Sequence, residues 1–302
     1  MENIKIYKSG FIALMGRPNS GKSTLMNCVI GEQLSVVTPL PQTTRQNLKG
    51  IYTTDSMQLI FVDTPGIHKG KYVFNDSMIH EVQNVIKEKG LDVICYMVDV
   101  SREFGEEEDT VASIIGCAGV QTIIVFNKID INKKYEDVKN AFFEKYPQFK
   151  ELPAICISAN SDTAKEQFLK VVEPFIPPGP QYFDQDDMTD ANMRFFASEY
   201  IRKQIILTTK DEVPHAVFVE IESYKEHGDT HIIQAVIHVE TTGQRGIIVG
   251  KGGAGITRIR KTAAKELEKL VQAKVQLTCH IKITPKWRDN ERFLKFMGMP
   301  VK

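Results

Sequence analysis

Residues 16–23 read GRPNSGKS, a loop of the form G-x-x-x-x-G-K-[ST]. An apolar run, FIALMG (11–16), precedes it, and STLMNCVI (23–30) follows, so the loop is expected to join a strand to a helix. In that setting Gly16, Arg17, Pro18, Asn19, Ser20, Gly21, Lys22, Ser23 and Thr24 form a cradle. Loop N–H groups and the helix N-terminus hold the α- and β-phosphates of a nucleotide. Lys22 adds a point charge at the β- and γ-phosphates, and the Ser23 hydroxyl can ligate Mg²⁺. DTPG (Asp63, Thr64, Pro65, Gly66) ends a later apolar run. Asp63 can hold the Mg²⁺ shell through water, and Gly66 can bring its N–H close to the γ-phosphate because it has no side chain. In NKID (127–130), Asp130 can accept from the N1–H and exocyclic amine of guanine, a donor pair that adenine lacks. Asn127 is expected to tie loops together and the Lys128 stem to cover the base face. SAN (Ser158, Ala159, Asn160) can give a backbone N–H to the guanine O6. In PQTTR (41–45), Thr44, with Thr43 as the alternative, can complete the Mg²⁺ shell in the triphosphate state. Each later motif is weak alone. Together, in this order and each at the end of a strand-length run, they point to a GTP/GDP site on the carboxyl edge of an open sheet.

The elements that must position these loops alternate. MQLIFVD (57–63), DVICYMVD (92–99), TIIVFN (122–127) and PAICIS (153–158) are strand-length apolar runs. Segments 78–89, 106–116, 135–146 and 163–173 have helical spacing. The pattern predicts an α/β domain over 1–175, a mostly parallel sheet with helices on both faces. PFIPPGPQYFDQDDMTD follows, with four prolines in its first seven residues. Prolines forbid regular helix and the acidic residues keep the segment solvated, so 176–190 is read as a linker.

Residues 191–302 are expected to form a second, α+β domain. NMRFFASEYIRKQII opens it as an amphipathic helix; 216–224 and 231–240 read as a hairpin. The stretch IIVGKGGAGI (247–256) comes next, then a helix over 255–272 with Ile256, Ile259, Ala263, Leu267 and Leu270 on one stripe. A strand over 275–283 and a short terminal helix complete it. The glycines at 250, 252 and 255 have dinucleotide-binding spacing, but that site needs an acidic residue about 20 positions on at a strand end. Leu270 stands there, in a helix. A G-x-x-G clamp for single-stranded RNA backbone, as in a KH module, fits better. Gly250, Gly252 and Gly253 would let the backbone approach phosphates. Arg245, Lys251, Arg258, Arg260 and Lys261 supply charge, and Ile247, Ile248 and Ile256 would floor a groove for bases.

Charge distribution supports the RNA reading. The formal net charge is zero, yet residues 241–302 hold 14 Lys and Arg against 4 Asp and Glu, and residues 181–240 hold 5 against 12. A basic block of this kind is drawn to nucleic acid or to an anionic membrane face. The 42% hydrophobic and 25% charged composition describes a folded chain and excludes a disordered or fibrous one. The five scattered cysteines, without C-x-x-C, read as reduced thiols of the cytosol. No signal peptide or apolar span is expected.

With these residues in view, the chain resembles the G1 to G5 set of GTPases, and specifically the Era family of bacterial small-subunit assembly GTPases. The likeness runs through GRPNSGKS, PQTTR, FVDTPGIHKG, NKID, PPGPQYFDQDDMTD, FFASEYIR, GKGG and WRDNERFLKFMG. It implies a P-loop GTPase domain followed by a type II KH domain, in the order helix–strand–strand–helix–loop–helix–strand. It also implies slow, Mg²⁺-dependent GTP hydrolysis by water and binding to the 3′ end of 16S rRNA in 30S subunit assembly, with GTP state controlling RNA access. A monomer in the cytoplasm, with peripheral contact to the inner face of the plasma membrane, completes the expectation. Ile67 follows DTPG where many small GTPases place a water-orienting glutamine. In related GTPases an asparagine at the Asn19 position helps hold a K⁺ ion, so K⁺ stimulation through Asn19 is expected, with Lys22, Thr44 and Gly66 completing the catalytic set. Arg45 as an internal arginine finger is the lesser alternative. One departure is Gly255 and Thr257, where the family carries lysines nearby; Arg258 and Arg260 would offset it. Two rivals remain at this point: a C-terminal domain that docks on a protein or membrane, and an oxidoreductase for which Asp130 has no role.

Overall fold

The computed structural model describes residues 6–38, 44–67, 72–87 and 90–299. The chain divides into two compact units, one of residues up to 71 and 75–190, the other of Tyr72–Phe74 and the residues from Ala191 on.

The first unit contains β1 (Lys8–Gly16), α1 (Lys22–Ile30), β2 (Leu48–Thr54), β3 (Met57–Asp63), α2 (Val73–Lys87), β4 (Leu91–Asp99), α3 (Glu106–Gly116), β5 (Gln121–Asn127), α4 (Tyr135–Lys145), β6 (Ala154–Ile157) and α5 (Ala164–Val172). The sheet order is β2-β3-β1-β4-β5-β6. Every pairing is parallel except that of β2 with β3. The mostly parallel sheet is therefore as expected. Its central strands are covered on both faces, which is why β3 and β4 read as continuous apolar runs rather than alternating ones. The edge strand β2, LKGIYTT, was not anticipated. It has little apolar patterning and is held by its antiparallel ladder to β3.

One core cluster gathers Ala13 and Met15 of β1, Ile94, Tyr96 and Val98 of β4, Ile124 and Phe126 of β5, Val111 and Ile115 of α3, and Phe142 of α4. Phe142 is fully buried and meets the rings of Tyr96, Phe104, Phe126, Phe143, Tyr146 and Phe149.

The 176–190 segment does not stand free as a solvated linker. Gln58, itself buried, accepts from the Tyr182 and Phe183 N–H groups at 2.8 and 3.0 Å and donates to the Phe183 carbonyl at 3.0 Å. Tyr182 packs on Phe11 with ring centroids 5.3 Å apart. Further on, Ile51 N–H donates to the Met188 carbonyl, Thr189 Oγ1 donates to the Lys49 carbonyl, and Lys49 pairs with Asp190. The prolines prevent helix, as read, but between them Gly179 N–H donates to the Tyr7 carbonyl and the Pro177 carbonyl accepts from the Ser9 N–H of β1, and the groups after them find partners on β2 and β3. The segment is a strap that belongs to the first unit.

The second unit contains α6 (Met193–Thr208), β7 (Phe218–His227), β8 (Thr230–Val239), α7 (Thr242–Val249), α8 (Ala254–Val271), β9 (Lys274–Ile283) and α9 (Glu291–Phe296). β8 pairs antiparallel with β7 and parallel with β9. The element order is that of a type II KH domain. The core joins Ala197, Ile201 and Ile205 of α6 to Ile233, Ala235 and Ile237 of β8 and to Ile259, Ala263 and Leu267 of α8. Leu270, read on the same stripe, is instead exposed. On the other sheet face the buried Trp287 donates to the Ala216 carbonyl at 2.9 Å and packs against Phe218 and Phe293. Among the described residues, no helix is long and apolar enough to cross a membrane.

The ring cluster on Phe142 carries a testable load. Phe142→Ala removes a fully buried ring and is expected to destabilise the first unit by about 3–5 kcal/mol. Urea unfolding followed by near-ultraviolet signals of that unit checks it; a change under about 1 kcal/mol would contradict the packing described.

Candidate functional site

The loop after β1 rises from the carboxyl edge of the sheet and enters α1, as the motif requires. A cavity of about 200 Å³ sits above it, lined by Pro18, Asn19, Gly21, Lys22, Ser23, Thr24, Val37, Thr38, Thr44, Gly66 and Lys128. Lys22 is only 5% exposed. Its Nζ donates to the Gly16 and Arg17 carbonyls at 3.2 and 3.0 Å. Burial lowers its pKa to about 8, with Arg102 adding to the fall and Asp63 and Glu108 opposing it. Phosphate oxygens would supply the charge that this ammonium lacks.

Oxygen atoms converge beside it. Ser23 Oγ donates to Asp63 Oδ2 at 2.6 Å, and Thr44 Oγ1 lies 3.3 Å from the same oxygen and 3.1 Å from Ser23 Oγ. Ser35, absent from the sequence reading, donates to Asp63 Oδ2 at 2.9 Å. Burial raises the Asp63 pKa, only partly offset by Ser23, Lys22, Ser35 and Thr44. Asp63 Oδ1 is buried and finds no hydrogen-bond partner among the described residues. A buried carboxylate beside the Ser23 and Thr44 hydroxyls, with Ser35 holding its other side, suits a hard divalent cation such as Mg²⁺. Ser23, Thr44 and Asp63 are therefore brought together, while Thr43 lies outside the described residues.

Gly66 sits directly against the loop: a Cβ there would lie 2.6 Å from Pro18 Cα. Thr64 is different from the expectation. It is fully buried and its hydroxyl donates to the Leu14 carbonyl at 2.7 Å, so it braces β1 to the DTPG turn rather than facing the cavity. Pro65 is buried beside it. Ile67 is 1% exposed within the core cluster, and its N–H donates to the Gly16 carbonyl. Arg17 also points inward. It pairs with the buried Glu108 of α3 at 2.5 Å and donates to the Glu103 carbonyl at 2.9 Å, and Tyr96 donates to Glu108 at 2.6 Å. Ser20 is fully buried, and Asn19 adopts a left-handed conformation with φ of 62°. Arg45, the lesser candidate for an internal arginine finger, is buried at 6% exposure.

Asn127 ties loops as expected. Its Nδ2 donates to the Ser20 carbonyl at 2.9 Å, and its Oδ1 accepts from the Ala159 N–H at 2.9 Å. The Ala159 amide is thereby committed to Asn127, between the buried Ser158 and the exposed Asn160. Lys128, at φ 70°, lines the cavity, and Asp130 is exposed in the turn that follows.

In the second unit, the loop between α7 and α8 carries the basic motif. A capping box of Thr241 and Gln244 starts α7, and this T-x-x-Q signal marks a helix the periodicity did not reveal. Gly250, Gly252 and Gly253 have φ of 68°, 59° and 80°, and no atom lies within 4 Å of where a Cβ would stand at Gly252 or Gly253. The backbone there is open to an approaching phosphate. Lys251, Arg245, Arg258 and Lys261 are exposed around it, and Arg260 is half-buried and acts on Cys279 of β9. Ile247 is 55% exposed, but Ile248 is fully buried. Ile248 joins Ile259 and Val239 in the core, so it cannot floor a groove as read; adjacent residues on a helix face about 100° apart. Gly255 lies in the first turn of α8, where a Cβ would stand 2.5 Å from the Ile248 carbonyl. Its glycine serves the packing of α7 on α8.

These features define a P-loop GTPase unit joined to a KH unit. Residues 11–128 match the family described as 50S ribosome-binding GTPase, and residues 212–288 match the KH domain family. GTPase Era of Halothermothrix orenii is 39% identical over 97% of this chain and 98% of its own length, and that of Geobacter metallireducens is 36% identical over 97% and 98%. A crystal structure of Era in complex with MgGDPNP and nucleotides 1506–1542 of 16S ribosomal RNA is similar at a TM-score of 0.90 and 30% identity, covering 97% of this chain and 99% of that one. The chain belongs to the Era family of GTPases, and it hydrolyses GTP.

The buried ammonium makes nucleotide binding pH-linked. Lys22 titrates at about 8 without phosphates, and bound phosphates would raise that value. GDP affinity is then full below about pH 8 and falls as pH rises above it, with proton uptake on binding. Calorimetry in two buffers of different ionisation enthalpy measures the uptake; equal heats above pH 8 would rule it out.

Proposed function

We propose that this GTPase binds the 3′ end of 16S rRNA in the small ribosomal subunit, and that nucleotide state governs RNA access to the GKGG loop. The observation that carries the reading is the open backbone at Gly252 and Gly253, both at positive φ, in a basic block, in a chain similar end to end to an Era solved with that RNA segment and MgGDPNP. Lys251, Arg245, Arg258, Arg260 and Lys261 would neutralise phosphates, and the exposed Ile247 would meet bases.

In the first unit, Lys22 and the 16–24 loop would hold the phosphates, and Ser23, Thr44 and Asp63 would hold the Mg²⁺. The ion supplies charge neutralisation between the β- and γ-phosphates when bound. Gly66, packed on Pro18, would offer its N–H to the γ-phosphate. Asn127, Lys128, Asp130 and the 158–160 loop would hold guanine. Because Ile67 is buried and apolar, no side chain at that position can orient water. We propose that K⁺ held at Asn19 supplies the missing positive charge. Both loops lie on one chain, so a monomer suffices, working in the cytoplasm where subunits are assembled.

Two experiments test this. Gly252→Asp places a side chain and a negative charge at φ 59°, and is expected to weaken binding of a 16S 3′-end oligonucleotide by roughly tenfold or more while leaving RNA-free GTP turnover unchanged. Unchanged RNA affinity, with lost binding to anionic vesicles, would transfer the basic block to a membrane role at the inner face of the cell membrane. Separately, GTP turnover is expected to be several-fold faster in K⁺ than in Na⁺, and Asn19→Ala is expected to abolish the difference. Equal rates in the two salts would remove K⁺ from the reading.

A further inference from the structure

We propose that Asp99 is a positioning residue that sets the guanine-loop lysine and the phosphate loop in one geometry before nucleotide arrives. Asp99 is the last residue of β4, lies opposite Asn127 of β5, and is fully buried. Its Oδ2 accepts from Lys128 Nζ at 2.7 Å and from Arg102 Nε at 2.9 Å. Its Oδ1 accepts from the Ser101 N–H at 3.0 Å and the Ser101 hydroxyl at 2.6 Å. Both carboxylate oxygens are thus engaged, and the carboxylate's own orientation is set by Ser101.

The two cations on Oδ2 lead to different parts of the nucleotide site. Lys128 follows Asn127, adopts a left-handed backbone and lines the cavity. Arg102 extends past Asp99 and donates Nη2 to the Pro18 carbonyl at 2.8 Å. Pro18 is the residue on which Gly66 packs. One buried carboxylate therefore links the NKID turn, the phosphate loop and, through Pro18, the DTPG turn. Burial works against ionising Asp99, yet the Lys128 and Ser101 bonds hold its pKa below the ordinary aspartate value, so the anion persists.

A free lysine stem has many rotamers, and an anchored one has lost them before binding. Fixing Nζ on Asp99 lays the Lys128 methylenes along the cavity wall, so less ordering remains when a base arrives. The benefit falls on binding of the base, which is the same in GTP and GDP, and not on the chemical step. The inference rests on the reading that NKID holds guanine.

The test uses the full chain with three substitutions, singly and with Asp99→Asn and Lys128→Ala combined, reading GTP turnover and the release of a fluorescent GDP analogue. Asp99→Asn keeps shape and removes charge. It is expected to raise KM for GTP and the GDP release rate by roughly tenfold each, with kcat at saturating GTP unchanged. Most of that effect is expected to vanish in a Lys128→Ala background, since the two residues act as a pair. A lowered kcat with unchanged KM, or a full Asp99→Asn effect in the Lys128→Ala background, overturns the inference. If Lys128→Ala weakens GDP binding but Asp99→Asn does not, this inference alone fails. If Lys128→Ala leaves GDP binding intact, the guanine-loop reading fails and takes this inference with it. Arg102→Ala covers the case in which Asp99→Asn does not fold, because the Arg102 side chain is 41% exposed. It is expected to speed GDP release by a smaller factor, and unchanged release overturns the link to the phosphate loop.

Discussion

An ammonium and a carboxylate, Lys22 and Asp63, are buried together at the carboxyl edge of a parallel sheet, and much of the first unit is arranged around them. Burying either charge is costly unless it finds partners. Lys22 takes backbone carbonyls of its own loop, and Asp63 takes hydroxyls from Ser23, Ser35 and Thr44. Neither set is complete: the Lys22 pKa is lowered and the Asp63 pKa is raised. A site in this condition is satisfied by a ligand that brings both anionic phosphates and a divalent cation. The sheet order places β1, β3 and β4 side by side, so the loops that must meet leave from neighbouring strands.

A second ring of buried charge supports the first. Arg17 turns away from the cavity to Glu108 and Tyr96, and Asp99 gathers Lys128, Arg102 and Ser101. These groups fix the outer bend of the phosphate loop and the guanine loop against α3 and β4. The Phe142 ring cluster lies beneath them and keeps water from the Tyr96–Glu108 contact. The second unit is built in the opposite way. Its glycine loop is open at Gly252 and Gly253, and Arg245, Lys251, Arg258 and Lys261 are exposed around it. That suits a polymer held along its backbone rather than a small molecule enclosed.

Much of this was legible in the residue order. The strand runs, the phosphate loop, DTPG, NKID and the α8 stripe depend on local periodicity and short motifs. β2 was missed because its seven residues carry neither alternation nor an apolar run. α7 was missed by periodicity because it spans eight residues, although its capping box was written in Thr241 and Gln244. The strap over 176–190 read as a linker because prolines announce the absence of helix and say nothing about long-range partners such as Gln58. Ile248 was misplaced because adjacent isoleucines look equivalent until a helix assigns them different faces.

By itself the sequence determined which chemistry the chain can do. Glycine spacing, a lysine beside a hydroxyl, and an aspartate after an apolar run are properties of neighbours in the chain, and local backbone geometry follows from them. Only the tertiary structure decided which side chains face the cavity and which brace it. It turned Thr64 and Arg17 inward, brought Ser35 to Asp63, and set Asp99 between Lys128 and Arg102. These contacts join residues that distant strands and loops carry, and they depend on burial, where a charge must find a partner that residue order does not disclose.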